Sequence, residues 1–528
     1  SGPGISLMSE FIGFGYYAEI PTVIFNIQRV GPSTGMPTRT QQCDLLSCAY
    51  ASHGDTRHVL LFPGDPAECF YMSPQAFDLA ERLQTPVMVL SDLDIGMNDW
   101  MVPELEWDDS YVPDRGKIYE AEDLEKMDKT KGHLVIDGNT AAGLGCMYAG
   151  ATVGAWYPIT PSTSLMDAFA NFCRHYRVDP ETGKRTYCII QADDELAAIG
   201  MGLGANWMGA RSFTPTSGPG ISLMSEFIGF AYYAELPAVI FNVQRTGPST
   251  GMPTRTQQCD LISCAYASHG DTKHVLLFPA DPAECFYMSP RSFDLAERLQ
   301  TPVMVLSDLD IGMNDWMVPE LEWDDAYVPD RGKVYTAEEL EGMDKFYRYL
   351  DVDGDGIPYR TLPGVHPKGA YFTRGSGHTK YGAYTEDSDA YQEVLDLLLA
   401  KWETARTMVP EAEIRYSKFN KAAILTLGSS DGACKEAIDR LQAENTGLNY
   451  CRVKAFPFTD EVREFIDKHE VVYVVEQNRD AQLRTLLIDD IDADQNKLVS
   501  LLHYNGMPIN AGFVVDGVLE EIKKGRAA

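Results

Sequence analysis

Three stretches of the chain hold residue types suited to small-molecule chemistry. Tyr157-Pro-Ile-Thr-Pro-Ser-Thr163 offers hydroxyls on a turn braced by prolines. Ile190-Gln-Ala-Asp-Asp-Glu195 ends in a carboxylate where a helix pattern begins. Asn242-Val-Gln-Arg-Thr-Gly-Pro-Ser-Thr-Gly-Met-Pro-Thr-Arg255 sets two guanidinium groups among hydroxyls and glycines. An arginine fork meets a carboxylate through two parallel N–H bonds, and nearby hydroxyls can complete the shell of a small anion. Each stretch follows a short apolar or aromatic run, as a buried parallel strand does when it runs out into a loop. Ligands of open α/β sheets bind at such carboxyl ends. The three loops are therefore expected to converge on one small anion and one cofactor.

The elements that would position them alternate. Strands are expected at Tyr187–Gln191, Arg211–Thr216, Ala238–Val243, His274–Phe278 and Pro302–Leu306. A helix rich in small residues is expected from Glu195 to Met208, and one or two crossover helices from Asp281 to Leu299. Further upstream, His133–Gly150 reads as a short strand or turn followed by a Gly/Ala-rich helix. This βαβα order implies a parallel sheet covered on both faces, an α/β fold. Residues 315–418 look irregular apart from an amphipathic helix over Ser388–Thr407. A second α/β region starts near Lys421. It has a strand at Ala422–Leu427, a turn at Gly428–Gly432 with capping side chains, a helix at Cys434–Ala443 and a strand at Val471–Asn478. The Gly-Ser-Ser turn at 428–430 suits helix capping better than phosphate binding.

Totals exclude several classes. The net charge of −33 argues against nucleic acid and against anionic membranes. No run of 18 apolar residues appears, so no membrane helix is expected. The chain opens at Ser1 inside a motif, without a signal-peptide pattern. The eleven cysteines are scattered and form no Cys-x-x-Cys, so no iron–sulfur cluster is expected on this chain, and reduced thiols suit a cytoplasmic protein. Gly143-Leu-Gly145 lacks the third glycine of a dinucleotide fingerprint. Asp351, Asp353 and Asp355 mimic a calcium loop, but its twelfth position is Leu362, so no metal is expected there.

Residues 1–129 repeat as residues 217–345 without a gap and with 15 substitutions, such as Ile27 for Val243 and Arg57 for Lys273. The repeat is too long, and occurs too few times, for a solenoid. It begins inside a turn, so the first copy lacks the leading half of a sheet and should expose an unpaired edge. Three readings stay open: a genuine partial duplication, an artefact of sequence assembly, and a half-sheet that completes a partner's.

The three loops, in this order and with the sequence that follows to Ile522, resemble the alpha subunit of the 2-oxoacid:ferredoxin oxidoreductase family, nearest its 2-oxoglutarate branch. The resemblance runs from Gly138. It implies a thiamine diphosphate-binding, pyrimidine-type domain at 130–345, a connector at 346–418 and a transketolase C-terminal-like domain at 419–528, preceded by the half-domain duplicate at 1–129. It further implies oxidative decarboxylation of a 2-oxoacid with CoA to acyl-CoA and CO2, reducing ferredoxin, or the reverse. Thiamine diphosphate would be shared with a beta subunit that carries Mg2+ and a [4Fe-4S] cluster. Some members also have a gamma subunit or domain.

By the same resemblance Glu195 is the catalytic carboxylate on the pyrimidine nitrogen of the cofactor, and Pro158 shapes the turn against that cofactor. Thr160, Arg245 and Thr250 match substrate-binding positions, with Ser162 and Arg255 one layer behind. Gly354-Asp-Gly356 begins like a thiamine magnesium motif, but no Asn-Asn pair follows, so no metal site is assigned here. Arg29 and Thr34 repeat the arginine loop without partners, and no catalysis is expected there. The alternatives are another thiamine enzyme subunit and a non-catalytic structural subunit of such an assembly.

Overall fold

A computed structural model describes residues 1–52, 55–118, 120, 132–417 and 421–525. The chain divides into two compact units, Ser1–Lys129 and Thr130–Ala528. The junction between the copies and the expected boundary at 418/419 lie outside the described residues. The first unit holds β1 (Thr22–Gln28), β2 (Val59–Leu61) and β3 (Pro86–Asp92). The second holds β4 (His133–Ile136), β5 (Val153–Trp156), β6 (Cys188–Gln191), β7 (Ser212–Thr216), β8 (Ala238–Gln244), β9 (Val275–Leu277), β10 (Pro302–Asp308) and β11 (Trp316–Pro319). It continues with β12 (Glu413–Arg415), β13 (Ala422–Thr426), β14 (Asn449–Arg452), β15 (Ala455–Phe456), β16 (Val471–Glu476) and β17 (Leu498–Leu502).

The main sheet of the second unit runs β15-β9-β10-β8-β7-β5-β6. Its pairings are parallel, as the βαβα pattern implies, except where β15 joins β9 antiparallel. The central strands β8 and β10 are buried along their whole length, which explains their unbroken runs of Val, Ile, Leu and Phe. Strand β15 comes from the C-terminal part of the chain, so that part extends the first sheet as well as forming its own. The second sheet runs β12-β14-β13-β16-β17 and is parallel except at β12. Strands β4 and β11 form a separate antiparallel pair.

Some elements settle what the sequence left open, and others differ from its reading. The segment after Asp281 is one helix, Pro282–Leu299, with Pro290 inside it. Its start is fixed by the Asp281 side chain, which accepts the Glu284 N–H, and by Pro282 in the first turn. The helix expected from Cys434 already begins at Ser430, and Ser429 does not cap it. The Ser429 hydroxyl is instead turned to the carboxylate of Asp308. Residues 315–418 contain β11, the helices Ala337–Gly342 and Ser388–Arg406, and β12. In the aspartate run, Asp351 accepts the N–H groups of Asp353, Gly354 and Gly356, and Lys333 Nζ lies 2.8 Å from both Asp353 and Asp355. A lysine thus sits where the calcium mimicry would place a cation.

The first unit repeats the helices and strands of 218–313 as 2–97 but holds only the three-stranded sheet β1-β3-β2. The edge of β8 is paired with β7, whereas the equivalent edge of β1 pairs with no strand among the described residues. Phe25 is 45% exposed and its counterpart Phe241 2%, while Phe77 is 55% exposed and Phe293 2%. Arg211, buried at the start of β7, donates to Asp294 and Glu297 of the 282–299 helix. Residues 1–129 have no such arginine, and among the described residues their Glu81 keeps only the pair with Arg115 that Glu297 also makes with Arg331. A half-sheet of this kind leaves apolar surface and backbone groups open to water. Amides of 22–28 should therefore exchange with deuterium at least about tenfold faster than those of 238–244, read by mass spectrometry on peptides that Ile27 and Val243 tell apart. Equal protection would contradict an open edge.

Candidate functional site

The carboxyl ends of β5, β6, β7 and β8 lie side by side because these strands are parallel neighbours. Side chains two apart on a strand share a face. On β8 this places Asn242 and Gln244 together, both fully buried. Asn242 Nδ2 donates to Asp260 Oδ2 at 3.0 Å, and Gln244 Oε1 accepts the Asp260 N–H at 3.0 Å. The strand thus ties down the far end of the loop that it launches. Burial raises the Asp260 pKa, with the Asn242, Cys259 and Arg245 contacts opposing.

Between those anchors the loop turns sharply. The Gly247–Pro248 bond is cis, and Ser249 and Gly251 have positive φ. A Cβ on Gly251 would stand 1.7 Å from the Thr246 carbonyl oxygen, so only glycine fits. The turn folds the loop over Arg245, which is 6% exposed. Its Nη1 donates to the Thr160 carbonyl at 2.5 Å and its Nη2 to the Thr250 carbonyl at 3.0 Å. Its buried Nε has no partner among the described residues. Burial lowers the Arg245 pKa, and Asp260 opposes that shift.

The β5 loop reaches Arg245 through a cis Thr160–Pro161 bond. Asn139 Nδ2 holds it by donating to the Pro161 carbonyl at 2.9 Å. Ser162 is fully buried and its hydroxyl donates to the Ile159 carbonyl, so it shapes the turn from inside. Pro158 lies exposed on the same loop. After β6, Asp194 accepts the Ala197 N–H at 2.7 Å and starts the helix Glu195–Trp207. Glu195 opens that helix and is 6% exposed. Its carboxylate has no hydrogen-bond or ion-pair partner among the described residues, although a buried carboxylate ordinarily has one. Gly220 makes room for it, since a Cβ there would lie 3.0 Å from Glu195 Cγ and 1.9 Å from Thr216 Oγ1.

The structure therefore joins Thr160, Arg245 and Thr250 by direct contact, through threonine carbonyls rather than hydroxyls. It sets Glu195 at the same sheet edge, beside β7. Arg255 is exposed, and its guanidinium reaches only the neighbouring Thr254 carbonyl. In the first unit Arg29 follows β1 as Arg245 follows β8, but its guanidinium makes no hydrogen bond among the described residues.

One set of residues escaped the sequence reading. The C-terminal part of the chain closes over the outer side of the arginine loop and leaves a cleft of about 460 Å³. Arg245, Ser249 and Asp260 line it from one side, with Arg479, Gln482 and Tyr504 on the other. Gln258 donates to Asp308 at 3.0 Å and to Ser429 at 3.0 Å, and Gln477 donates to Ser429 at 2.8 Å. Asn478 donates to the Gln258 carbonyl at 3.1 Å and to Glu476 at 2.7 Å. Glu476, fully buried, also accepts the N–H groups of Leu483 and Arg484. The only sequence signal was the polar run Glu476-Gln-Asn478 after an apolar strand, with Gln482 following.

The comparisons place the chain in a family. The model described as pyruvate flavodoxin/ferredoxin oxidoreductase, thiamine diphosphate-binding, matches residues 1–133 and 144–345. The chain belongs to that family. It is 32% identical over 414 residues to the 2-oxoacid:ferredoxin oxidoreductase subunit alpha of Saccharolobus solfataricus, covering 76% of this chain and 64% of that one. It is 35% identical over 346 residues to the 2-oxoglutarate synthase subunit KorA of Archaeoglobus fulgidus, covering 65% and 88%. It thus spans less than two thirds of the Saccharolobus relative. A solved 2-oxoglutarate:ferredoxin oxidoreductase from Magnetococcus marinus, with 2-oxoglutarate, coenzyme A and succinyl-CoA bound, is 27% identical with a TM-score of 0.68, over 87% of this chain and 72% of that one. The fold is α/β, with parallel sheets of the thiamine diphosphate-binding kind. Among the described residues no helix is long and apolar enough to cross a membrane.

The residues at the sheet edge fit that cofactor. A carboxylate without a donor among the described residues, on the largely buried Glu195, suits a ligand that brings its own ring N–H. The buried hydroxyls of Thr214 and Ser217, also unpartnered, leave further polar groups nearby.

Burial raises the pKa of Glu476 to about 7, against the N–H groups of Leu483 and Arg484 and the Asn478 amide, which favour its charged form. The folded value lies above the ordinary glutamate value. Glu476 therefore stabilises the fold at acidic pH and loses that contribution as pH rises through about 7. Replacing it in Glu476→Gln should remove that slope. The stability difference between wild type and variant should move in the variant's favour by on the order of 3 kcal/mol from about pH 4.5 to pH 8, read by denaturant unfolding. A pH-independent difference would contradict it.

Proposed function

We propose that this chain is the alpha subunit of a 2-oxoacid:ferredoxin oxidoreductase, with 2-oxoglutarate the favoured substrate. The reaction takes a 2-oxoacid, CoA and two oxidised ferredoxins to acyl-CoA, CO2, one proton and two reduced ferredoxins, or runs in reverse. In this reading 130–345 is the pyrimidine-binding domain, 346–418 the connector and 419–528 the transketolase C-terminal-like domain. The observation that carries it is that one sheet edge holds both a carbonyl-held guanidinium at Arg245 and, on the largely buried Glu195, a carboxylate without a partner among the described residues.

Thiamine diphosphate, when bound, supplies the nucleophilic carbon that attacks the keto group and holds the charge left as CO2 departs. Glu195 accepts the pyrimidine N–H and biases the ring toward the tautomer that can move a proton. Arg245 binds the substrate carboxylate with the N–H groups left over from its carbonyl contacts. Thr160 and Thr250, both exposed on their loops, offer hydroxyls to the same anion. Pro158 borders the cofactor, Ser162 shapes the turn that presents Thr160, and Arg255 adds positive charge behind the site. A beta subunit would supply the diphosphate site, Mg2+ and a [4Fe-4S] cluster suited to one-electron transfer. Ferredoxin docks on such partners, since the net charge of −33 on this chain repels acidic proteins. A gamma subunit or domain completes some assemblies of this kind, and the setting is the cytoplasm. Residues 1–129 hold Arg29 and Thr34 without counterparts of Thr160 and Glu195 among them.

The test is 2-oxoglutarate-dependent, CoA-dependent ferredoxin reduction by the purified assembly. Arg245→Lys keeps the charge but loses the fork, and should raise KM for the 2-oxoacid by about 10–100-fold. Reduction that needs no CoA, or an unchanged KM in the variant, would overturn the reading.

A further inference from the structure

The short helix Leu261–Ala265 follows directly on the arginine loop, and its start is incompletely capped. Asp260 stands at the N-cap and makes no side-chain cap bond. The first N–H groups of a helix have no partner within it. The Ile262 N–H finds one in Gln482 Oε1, at 3.1 Å, while Gln482 Nε2 donates to the Cys259 carbonyl at 2.7 Å. One side chain from the C-terminal part of the chain thus grips both ends of the 259–262 segment. Cys259 in turn donates from Sγ to the Arg245 carbonyl at 3.4 Å.

Gln482 is itself fixed. It opens the helix Gln482–Ile491, whose N-cap, Ala481, has no side chain that could cap it. Glu476 takes that role from β16 by accepting the Leu483 and Arg484 N–H groups, and Asn478 Oδ1 accepts the Gln482 N–H at 3.1 Å. The first unit provides an internal control. Its loop keeps the cis Gly31–Pro32 bond, the positive φ of Ser33 and Gly35, and the Cys43-to-Arg29 contact. Its helix Leu45–Ala49 begins the same way, but the counterparts of Ile262 and Cys259, which are Leu46 and Cys43, have no such clamp among the described residues and lie exposed. The loop's shape is therefore local, and what the C-terminal part adds is its fixed seat.

We propose that Gln482 is a positioning residue that holds the Arg245 loop against the C-terminal part of the chain and so sets where the substrate carboxylate is bound. This rests on the functional reading above. Two variants of the full chain in its assembly test it. Gln482→Met keeps the size and loses both bonds, while Gln482→Glu keeps the acceptor for Ile262 and loses the donor to Cys259. The Ile262 amide should exchange roughly tenfold faster in Gln482→Met and return toward wild type in Gln482→Glu. KM for 2-oxoglutarate should rise about 5–20-fold in Gln482→Met, with kcat within about twofold. Unchanged Ile262 exchange, or faster exchange with unchanged KM, or a fall in kcat alone, would overturn the positioning role. A wild-type assembly that turns over no 2-oxoacid would instead sink the functional reading, and the exchange result would still decide the clamp.

Discussion

The structure of the site depends on one buried cation. Arg245 leaves water with only two backbone carbonyls as direct partners, and Asp260 is held away from it by Asn242 and Gln244. Desolvating a guanidinium is costly unless its N–H groups are met. The two carbonyls offset part of that cost and fix the plane of the fork across two loops. The unmet Nε marks what the chain does not supply. On the proposed reading, a carboxylate ligand completes the set where the loops of β5 and β8 meet.

The internal duplicate separates what is local from what is not. The arginine loop keeps its turn in both copies, since its glycines, its proline and the side chains of its own strand suffice. Burial of the sheet does not follow from the repeat alone. Phe241 and Phe293 are covered because β5, β6, β7 and their helices lie beside them, and Phe25 and Phe77 lack that cover. Arg211 makes the same point for charge. It pairs with both Asp294 and Glu297 in the second unit, whereas in residues 1–129 Glu81 has Arg115 and Asp78 has no basic partner among the described residues. Half of such a domain carries the arginine but not the environment that gives the arginine a function.

Much of this was legible in the sequence. The runs Ala238–Val243 and Pro302–Leu306 read as buried parallel strands because both faces are covered, and the Gly/Pro-rich breaks after them marked the loops. Glu195 stood out as a carboxylate at a helix start after a strand. The contacts of Arg245 with threonine carbonyls did not, since no residue type announces a backbone acceptor. The early start of the helix at Ser430 was missed because Ser429 resembles a cap, whereas its hydroxyl serves Asp308, 121 residues away in sequence. The clamp from Gln482 was equally hidden, because it joins two regions that only the folded chain brings together. A strand added to the first sheet by Ala455–Phe456 has too little length to leave a pattern.

The central claim is that Glu195 is an open half of a cofactor site. The direct test is the affinity of the purified assembly for thiamine diphosphate, by calorimetry, in wild type and in Glu195→Ala. The account predicts about 10–100-fold weaker binding in the variant, the worth of one hydrogen bond to a charged group. Equal affinity would show that the carboxylate does not meet the cofactor and would contradict the account.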